Sequence, residues 1–100
     1  MFLILSNLVF AFFPEQGGKI TQIDQIMTGT TADEIVFRTR SGNYYGILKI
    51  EPMYKEIVAM LYLAYAKKAS VNVVGFDSTR TSNFGFSYHK LMRLWIHNSW

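Results

Sequence analysis

The chain contains no cysteine and only two histidines. The absence of cysteine excludes disulfide frameworks, cysteine-ligated zinc, iron–sulfur clusters and thiol nucleophiles. It leaves the compartment open, because a domain of this size can fold in an oxidising space without a disulfide. Charge is also sparse, with 10 Lys and Arg against 7 Asp and Glu and a formal net charge of +3. That balance is much less basic than a dedicated nucleic-acid-binding domain usually is.

Residue types that carry catalysis or bind metals form no readable motif in this chain. His89 and His97 are eight residues apart, a spacing that does not place two metal ligands on one face. No serine lies in a nucleophile elbow, and residues 17–19 lack the flanking residues of a phosphate-binding loop. Asp33 and Glu34 are adjacent and would diverge on a strand. We therefore predict a non-enzymatic protein without a metal or a cofactor.

The 100 residues are enough for one domain. Half of them are hydrophobic and 16% are aromatic, which excludes disorder as the main description. We predict three parts: a hydrophobic, signal-like segment over residues 1–13, a linker over 14–18, and a single domain over 19–100. The linker is indicated by Pro14 and by the glycine pair at 17 and 18.

The first 13 residues are apolar except for Ser6 and Asn7. The run is too short to cross ~30 Å of hydrocarbon, which takes roughly 20 residues, so no stable membrane span is expected. Its length suits the hydrophobic region of a signal peptide, and cleavage after Val9-Phe10-Ala11 would leave Phe12 as the first residue. The basic residues that normally open a signal peptide are missing. The alternative is a first strand or helix packed on the domain.

Hydrophobic periodicity predicts three strands before a change of period. Residues 19–26 carry isoleucines at intervals of three, which fits a strand with one bulge. Residues 34–40 alternate between apolar and polar side chains, as in a strand with one buried face. A turn over 41–43 leads to a returning strand over 44–50, with a bulge or bend at Gly46.

A helix follows, and two more strands complete the chain. Pro52 suits a first helical position, and apolar residues from Tyr54 to Tyr65 recur at intervals of three and four. Residues 70–75 read as a short strand, 76–87 as a long loop, and 88–98 as a last strand. The predicted order is β-β-β-α-β-β, mainly β with one helix. A five-stranded OB-fold barrel is the economical arrangement, with an open α+β sandwich or a β-grasp fold as the alternative.

Several short stretches resemble one family of small exported bacterial proteins. The matching stretches lie within residues 18–39 and at Tyr54-Lys55-Glu56, Ala64-Tyr65-Ala66 and Val71-Asn72-Val73. Together they resemble the B subunits of subtilase-cytotoxin type and the related B subunit of typhoid toxin. The similarity covers about residues 18–76 and, more loosely, the last strand.

This resemblance implies an OB-fold, periplasmic or secreted location, and a homopentamer that binds cell-surface glycans, with or without an enzymatic partner chain. Two differences from the family limit what it implies. The toxin subunits carry a disulfide, and this chain has no cysteine. The sugar-contacting serine of the typhoid-toxin relative precedes the first strand, where residues 12–17 contain no serine. No glycan-binding residue is therefore transferred.

The predicted strand pattern supplies candidate ligand contacts of its own. Arg38, Tyr45 and Trp95 are expected on outward faces and are our predicted ligand-binding residues. The same basic and aromatic surface could bind a single-stranded nucleic acid, which is the alternative function. That surface would comprise Arg38, Arg40, Lys49, Arg93 and Trp95, with either Tyr44 or Tyr45. Nucleic acid is the less favoured ligand, because export would remove it from reach.

The helix carries apolar residues beyond the one stripe that a core requires. Met53, Met60 and Leu63 extend a second side, and a helix that is apolar on two sides is usually buried on two sides. We therefore predict that these three residues form a homo-oligomer interface. A self-assembling structural protein of the cell envelope is a further alternative.

Overall fold

A computed structural model describes residues 12–14, 20–28 and 33–97. Within these residues the chain forms six strands and one helix. They are β1 (Phe12–Pro14), β2 (Ile23–Met27), β3 (Glu34–Thr39), β4 (Tyr44–Leu48), α1 (Tyr54–Lys67), β5 (Ser70–Thr81) and β6 (Ser87–His97). The prediction of a mainly β domain with one helix between its third and fourth main strands is confirmed.

One sheet contains all six strands, in the order β1-β5-β6-β4-β3-β2. Neighbours are antiparallel except β4 and β6, which pair in parallel at Tyr45↔His89 and Gly46↔Lys90. The sheet is not closed, so the barrel stays a prediction. A single isolated bridge joins Thr21, just before β2, to Val71 on β5, with two backbone hydrogen bonds of 2.8 and 2.9 Å.

The bulge predicted in the first main strand is present. Ile23 pairs with Thr39 and Gln25 with Arg38, so Asp24 is the extra residue opposite β3. The bulge explains why the isoleucines of this segment recur at intervals of three rather than two. It also leaves Asp24 and Gln25 exposed in succession.

The hairpin of β3 and β4 provides the centre of the core. Ile35 and Phe37 on β3 face the interior together with Tyr45 and Ile47 on β4. Cross-strand partners share a face, and the pairs Ile35↔Ile47 and Phe37↔Tyr45 bring these four side chains together. The rings of Phe37 and Tyr45 stack with their centroids 5.6 Å apart.

Helix α1 packs its apolar stripe on this core, as the spacing predicts. Leu61 and Ala64 are buried, and Ile57 and Val58 pack against the same cluster. The helix begins at Tyr54 after Met53, whose φ of 67° is left-handed, so Pro52 lies in the preceding turn rather than in the helix. It ends at Lys67, and the left-handed Lys68 donates its N–H back to the last turn.

The strand after the helix, β5, is longer than the periodicity predicts, whereas β6 is shifted by one residue from its predicted range. The loop predicted over 76–87 is wrong in its first half, because β5 continues to Thr81 and pairs with the start of β6. The outer half of β5 is polar and mostly exposed. It carries no apolar alternation, and its strand conformation depends on pairing with β6. The pairing shifts register near Gly75, which allows the hairpin to bend.

A short strand precedes the five predicted ones, as the alternative prediction of a first strand packed on the domain allowed. Phe12, Phe13 and Pro14 of β1 pair with Phe76, Gly75 and Val74 of β5. These residues span the boundary that we predicted between the signal-like segment and the linker. Residues 1–11 and 15–19 lie outside the described part of the chain, so the predicted signal-like segment and most of the linker stay predictions.

Candidate functional site

The outer face of the β3–β4 hairpin brings charged and aromatic side chains together. Ile35 and Phe37 face inward, so Arg38 lies on the opposite face. Tyr44 pairs directly with Arg38 in the register of the two strands and shares that outer face. The loop between β5 and β6 lies over the other end of this face, where Asn83 of the loop and Tyr88 of β6 donate hydrogen bonds to Glu34.

Arg38 and Asp24 form a two-pronged ion pair. Arg38 Nε donates to Asp24 Oδ1 at 2.9 Å, and Arg38 Nη2 donates to Asp24 Oδ2 at 3.1 Å. The hydrogen bond with Asp24 is the largest cause of a raised pKa of Arg38, followed by a hydrogen bond with Tyr44. The β2 bulge makes the pair feasible, because the extra residue brings the Asp24 carboxylate to the outer face. Both side chains remain about one-third exposed, at 38% for Arg38 and 33% for Asp24.

Three aromatic rings continue this surface away from the ion pair. The rings of Tyr44 and Phe86 lie 4.4 Å apart between centroids, and those of Phe86 and Phe84 lie 6.4 Å apart. Phe84 is 40% exposed, and the other two rings are half-buried. We call Tyr44, Phe84, Phe86, Arg38 and Asp24 the aromatic face. It offers ring surfaces beside charged hydrogen-bonding groups whose net charge is zero.

A buried carboxylate holds the β5–β6 loop in this position. Glu34 accepts a hydrogen bond from the Tyr88 hydroxyl at 2.9 Å and another from the Asn83 N–H at 2.6 Å. Ser82 Oγ accepts hydrogen bonds from the N–H groups of Phe84 and Phe86, which fixes the turn. The aromatic rings of the loop are therefore positioned by satisfied polar contacts, as a preformed ligand surface requires.

A second ionic network, centred on Glu51, connects the end of β4 to strands β5 and β6. Glu51 Oε1 accepts hydrogen bonds from Arg80 at 2.8 Å and from the Leu48 N–H at 2.7 Å, and Lys90 lies 3.5 Å from Glu51 Oε2. Burial opposes ionisation of Glu51, but the hydrogen bonds from Arg80 and Leu48 outweigh it, with help from the charges of Arg80 and Lys90. The pKa of Glu51 is therefore lowered.

A separate groove runs between helix α1 and strand β6. Its cavity of about 490 Å³ is lined on the helix side by Met53, Ile57 and Met60 and on the strand side by Met92 and Trp95. Met53 is 60% exposed and Trp95 is 43% exposed. We call these five residues the helix groove. Flexible methionines and one large ring give it an adaptable, mainly apolar lining, and Glu51 and Arg93 contribute charged groups.

The predicted ligand contacts do not form one site. Arg38 lies on the aromatic face, whereas Trp95 lies in the helix groove. Tyr45 was predicted to face outward, and this is wrong: its side chain is 0% exposed and packs in the core against Phe37. The outward tyrosine is Tyr44. The residue opposite Arg38 shares its face, and the register of the two strands places Tyr44 there and not Tyr45.

The predicted interface residues lie on or beside the helix groove. Met53 and Met60 line it, and Leu63 is exposed one turn beyond Met60. The structure therefore brings two of the predicted interface residues together with Trp95, which sequence reasoning assigned to ligand binding. The ring contacts of Phe86 with Tyr44 were not predicted, since they depend on the fold of the β5–β6 loop.

The described residues include no group of three or more His, Asp or Glu side chains that could hold a metal ion. Across residues 12–14, 20–28 and 33–97, no helix is long and apolar enough to cross a membrane. Comparison with known proteins finds no family model that matches the chain and no curated protein with a significant sequence match.

Proposed function

We propose that the protein is a non-enzymatic binding module that recognises a saccharide through the aromatic face. The observation that carries the proposal is the row of Tyr44, Phe86 and Phe84 beside the Arg38–Asp24 pair. Aromatic rings pack on the apolar faces of sugar rings, while charged side chains accept and donate hydrogen bonds to hydroxyl groups.

The proposed fold is an OB-type barrel, and it supports this location for a site. Three features favour the barrel: the strand order β2-β3-β4-β6-β5, the parallel pairing of β4 with β6, and the Thr21–Val71 bridge between the two ends. OB-folds bind oligosaccharides and oligonucleotides on their second and third strands and on adjoining loops. If β1 stands outside the barrel, those strands are β3 and β4, and the loop between β5 and β6 is one of those loops.

Electrostatics favours a sugar over a nucleic acid on this surface. Arg38 is matched by Asp24, so the aromatic face carries no net charge. A single-stranded nucleic acid needs cations along its backbone as well as rings for its bases. Saccharide binding also agrees with the sequence resemblance to toxin B subunits, although the residues involved are this chain's own.

Retention on immobilised glycans, measured for the wild type and for Tyr44→Ala, tests the proposal. We expect Tyr44→Ala to weaken retention by at least about tenfold, roughly 1.4 kcal/mol, with little change in thermal midpoint. Tyr62→Ala is the matched control, because Tyr62 is an exposed tyrosine of α1 outside the aromatic face. Equal retention by both variants would contradict saccharide binding at this face.

Salt dependence separates the two ligand classes. Saccharide retention should hardly change between 50 and 200 mM salt, because no counterions are released. Binding of a single-stranded oligonucleotide that falls steeply over the same range and depends on Tyr44 would instead assign the face to nucleic acid. Both measurements use the full chain.

Export and self-association complete the proposal. Cleavage after Ala11 would leave β1, which begins at Phe12, intact on the edge of the sheet. Self-association through the helix groove and Leu63 would cover the exposed apolar side chains there, and the resemblance suggests five copies. The native mass and the N-terminal residue of the expressed protein test both. A start at Phe12 with a fivefold mass supports them, and an intact Met1 with a monomer mass contradicts them.

A further inference from the structure

A second cavity, distinct from the aromatic face and the helix groove, lies where the C-terminal end of α1 meets strands β2 and β3. Its volume is about 550 Å³, within the range of roughly 300–1,000 Å³ typical of small-molecule sites. Ile23, Tyr65 and Ala66 line it with apolar surface, and Arg40 and Lys68 line it with positive charge. Gln22 and Asp24 complete the lining. We call this cavity the basic pocket.

Arg40 is held in place at the pocket by Gln22. The Gln22 amide accepts a hydrogen bond from Arg40 Nη1 at 3.0 Å and donates one to the Lys68 carbonyl at 3.0 Å. The backbones of Arg40 and Gln22 are also joined, since the Arg40 N–H donates to the Gln22 carbonyl at 2.9 Å. The guanidinium is therefore oriented by the fold while most of its five N–H donors stay available.

The charges around the pocket do not cancel. Asp24 is the one carboxylate in its lining, and it is engaged by both prongs of Arg38. Within the described residues, neither Arg40 nor Lys68 forms an ion pair with a carboxylate. The pocket is thus lined by two cationic residues that form no ion pair among the described residues. Both side chains are exposed, so an anion can reach them from solvent.

We propose that the basic pocket binds a phosphate monoester carried on a small organic molecule. The phosphate would accept hydrogen bonds from Arg40 and from the Lys68 ammonium, and its charge of about −1.5 to −2 at pH 7 matches the two cations. The organic part would pack on the Tyr65 ring and on the side chains of Ile23 and Ala66. The cavity is larger than a bare phosphate requires. This inference does not rest on saccharide recognition, because the two sites share only Asp24.

The test is a titration of the full chain, labelled with nitrogen-15, with glucose 6-phosphate in low-salt buffer. The proposal expects saturable shifts of the amide signals of Arg40, Ala66 and Lys68 with glucose 6-phosphate. The same three signals should shift more weakly with inorganic phosphate and should show no saturable shift with glucose. No saturable shift with glucose 6-phosphate would overturn the proposal. Equal affinity for inorganic phosphate and glucose 6-phosphate would overturn the role of the apolar lining.

Charge-removing variants locate the site. Arg40→Gln and Lys68→Gln should each weaken glucose 6-phosphate binding about tenfold or more, because each removes a charge-assisted hydrogen bond. Lys67→Gln is the matched control, since Lys67 precedes Lys68 and is exposed but does not line the pocket. Equal losses for Lys67→Gln and Lys68→Gln would show general charge attraction and overturn the site. Gln22→Ala should also weaken glucose 6-phosphate binding, because Arg40 then loses the side-chain hydrogen bond that orients it.

Discussion

The ring of Tyr88 lies directly against the α-carbon of Gly46. A methyl group at Gly46 would come within 2.5 Å of Tyr88 Cε2 and 3.0 Å of the Ile35 carbonyl oxygen. The glycine was predicted to mark a bulge or bend, and the bulge is absent, because the β3–β4 register runs through Val36↔Gly46 without a shift. Glycine is needed here for the close approach of a buried ring. That approach in turn lets the Tyr88 hydroxyl reach Glu34.

Gly46→Ala should therefore lower the free energy of unfolding by about 1–3 kcal/mol through overpacking. The ring of Tyr88 cannot swing away without losing its hydrogen bond to Glu34, which is 4% exposed. Urea unfolding monitored by circular dichroism measures the change. A double-mutant cycle with Tyr88→Leu checks the cause, because the cost of the alanine should fall when the ring is absent. Additive losses would contradict the contact.

Glu51→Gln should lower the free energy of unfolding at pH 7 by about 1–3 kcal/mol, since it removes charged hydrogen bonds to Arg80 and to the Leu48 N–H. The native pKa of Glu51 is lowered, so its contribution is present above the unfolded value of about 4.3 and is lost as pH falls through the native value. The wild type and the variant should therefore converge in acid. Urea unfolding at several pH values between 7 and 3 measures this convergence.

Glu56→Gln is the control for that experiment. Glu56 is an exposed acidic residue in the first turn of α1. Removing its charge should lower the free energy of unfolding by only about 0.3–1 kcal/mol, the size of a helix-dipole interaction. A Glu51→Gln variant that is no less stable than Glu56→Gln at neutral pH would contradict the anchoring role of the ionic network.

Tyr88 should ionise at a higher pH than an ordinary tyrosine, because its pKa is raised. Burial is the main cause of its raised pKa, and the hydrogen bond to Glu34 adds to it, while Arg80 acts in the opposite direction. A group whose native pKa is raised stabilises the fold below its unfolded value, about 10, and that contribution is lost as pH rises through the native value. Absorbance at 295 nm during alkaline titration follows tyrosine ionisation in the wild type and in Tyr88→Phe. The wild type should show an additional ionisation, above the ordinary tyrosine pKa of about 10.

Elements with strong periodicity were predictable from sequence. The helix, the alternating β3, and the bulged β2 all carry their apolar residues at spacings set by backbone geometry. The polar half of β5 has no such signal, because it is stabilised by its partner strand and not by burial. The phase of β4 was ambiguous for a similar reason, since Tyr44 and Tyr45 are equally apolar and only the register decides between them.

The candidate sites were less predictable than the fold, because they combine residues from distant parts of the chain. The aromatic face joins Asp24 on β2 to Phe86 in the β5–β6 loop, and the basic pocket joins Arg40 to Lys68 across the end of the helix. Composition identified the residue types, and only the sheet topology shows which of them meet. Trp95 illustrates the difference, since its exposure was predicted and its neighbours in the helix groove were not.

Met53→Lys should reduce self-association if the helix groove is the contact between copies. Met53 is exposed, so a lysine there should leave the isolated domain folded while placing a charge in an apolar contact, where an unpaired ion is costly. Sedimentation velocity measures the mass, with Met60→Lys as a second variant in the same groove. Ala59→Lys is the matched control, because Ala59 is an exposed helix residue that does not line the groove. We expect Met53→Lys and Met60→Lys to sediment as smaller species and Ala59→Lys to keep the wild-type mass. An unchanged mass for both groove variants would place the contact elsewhere.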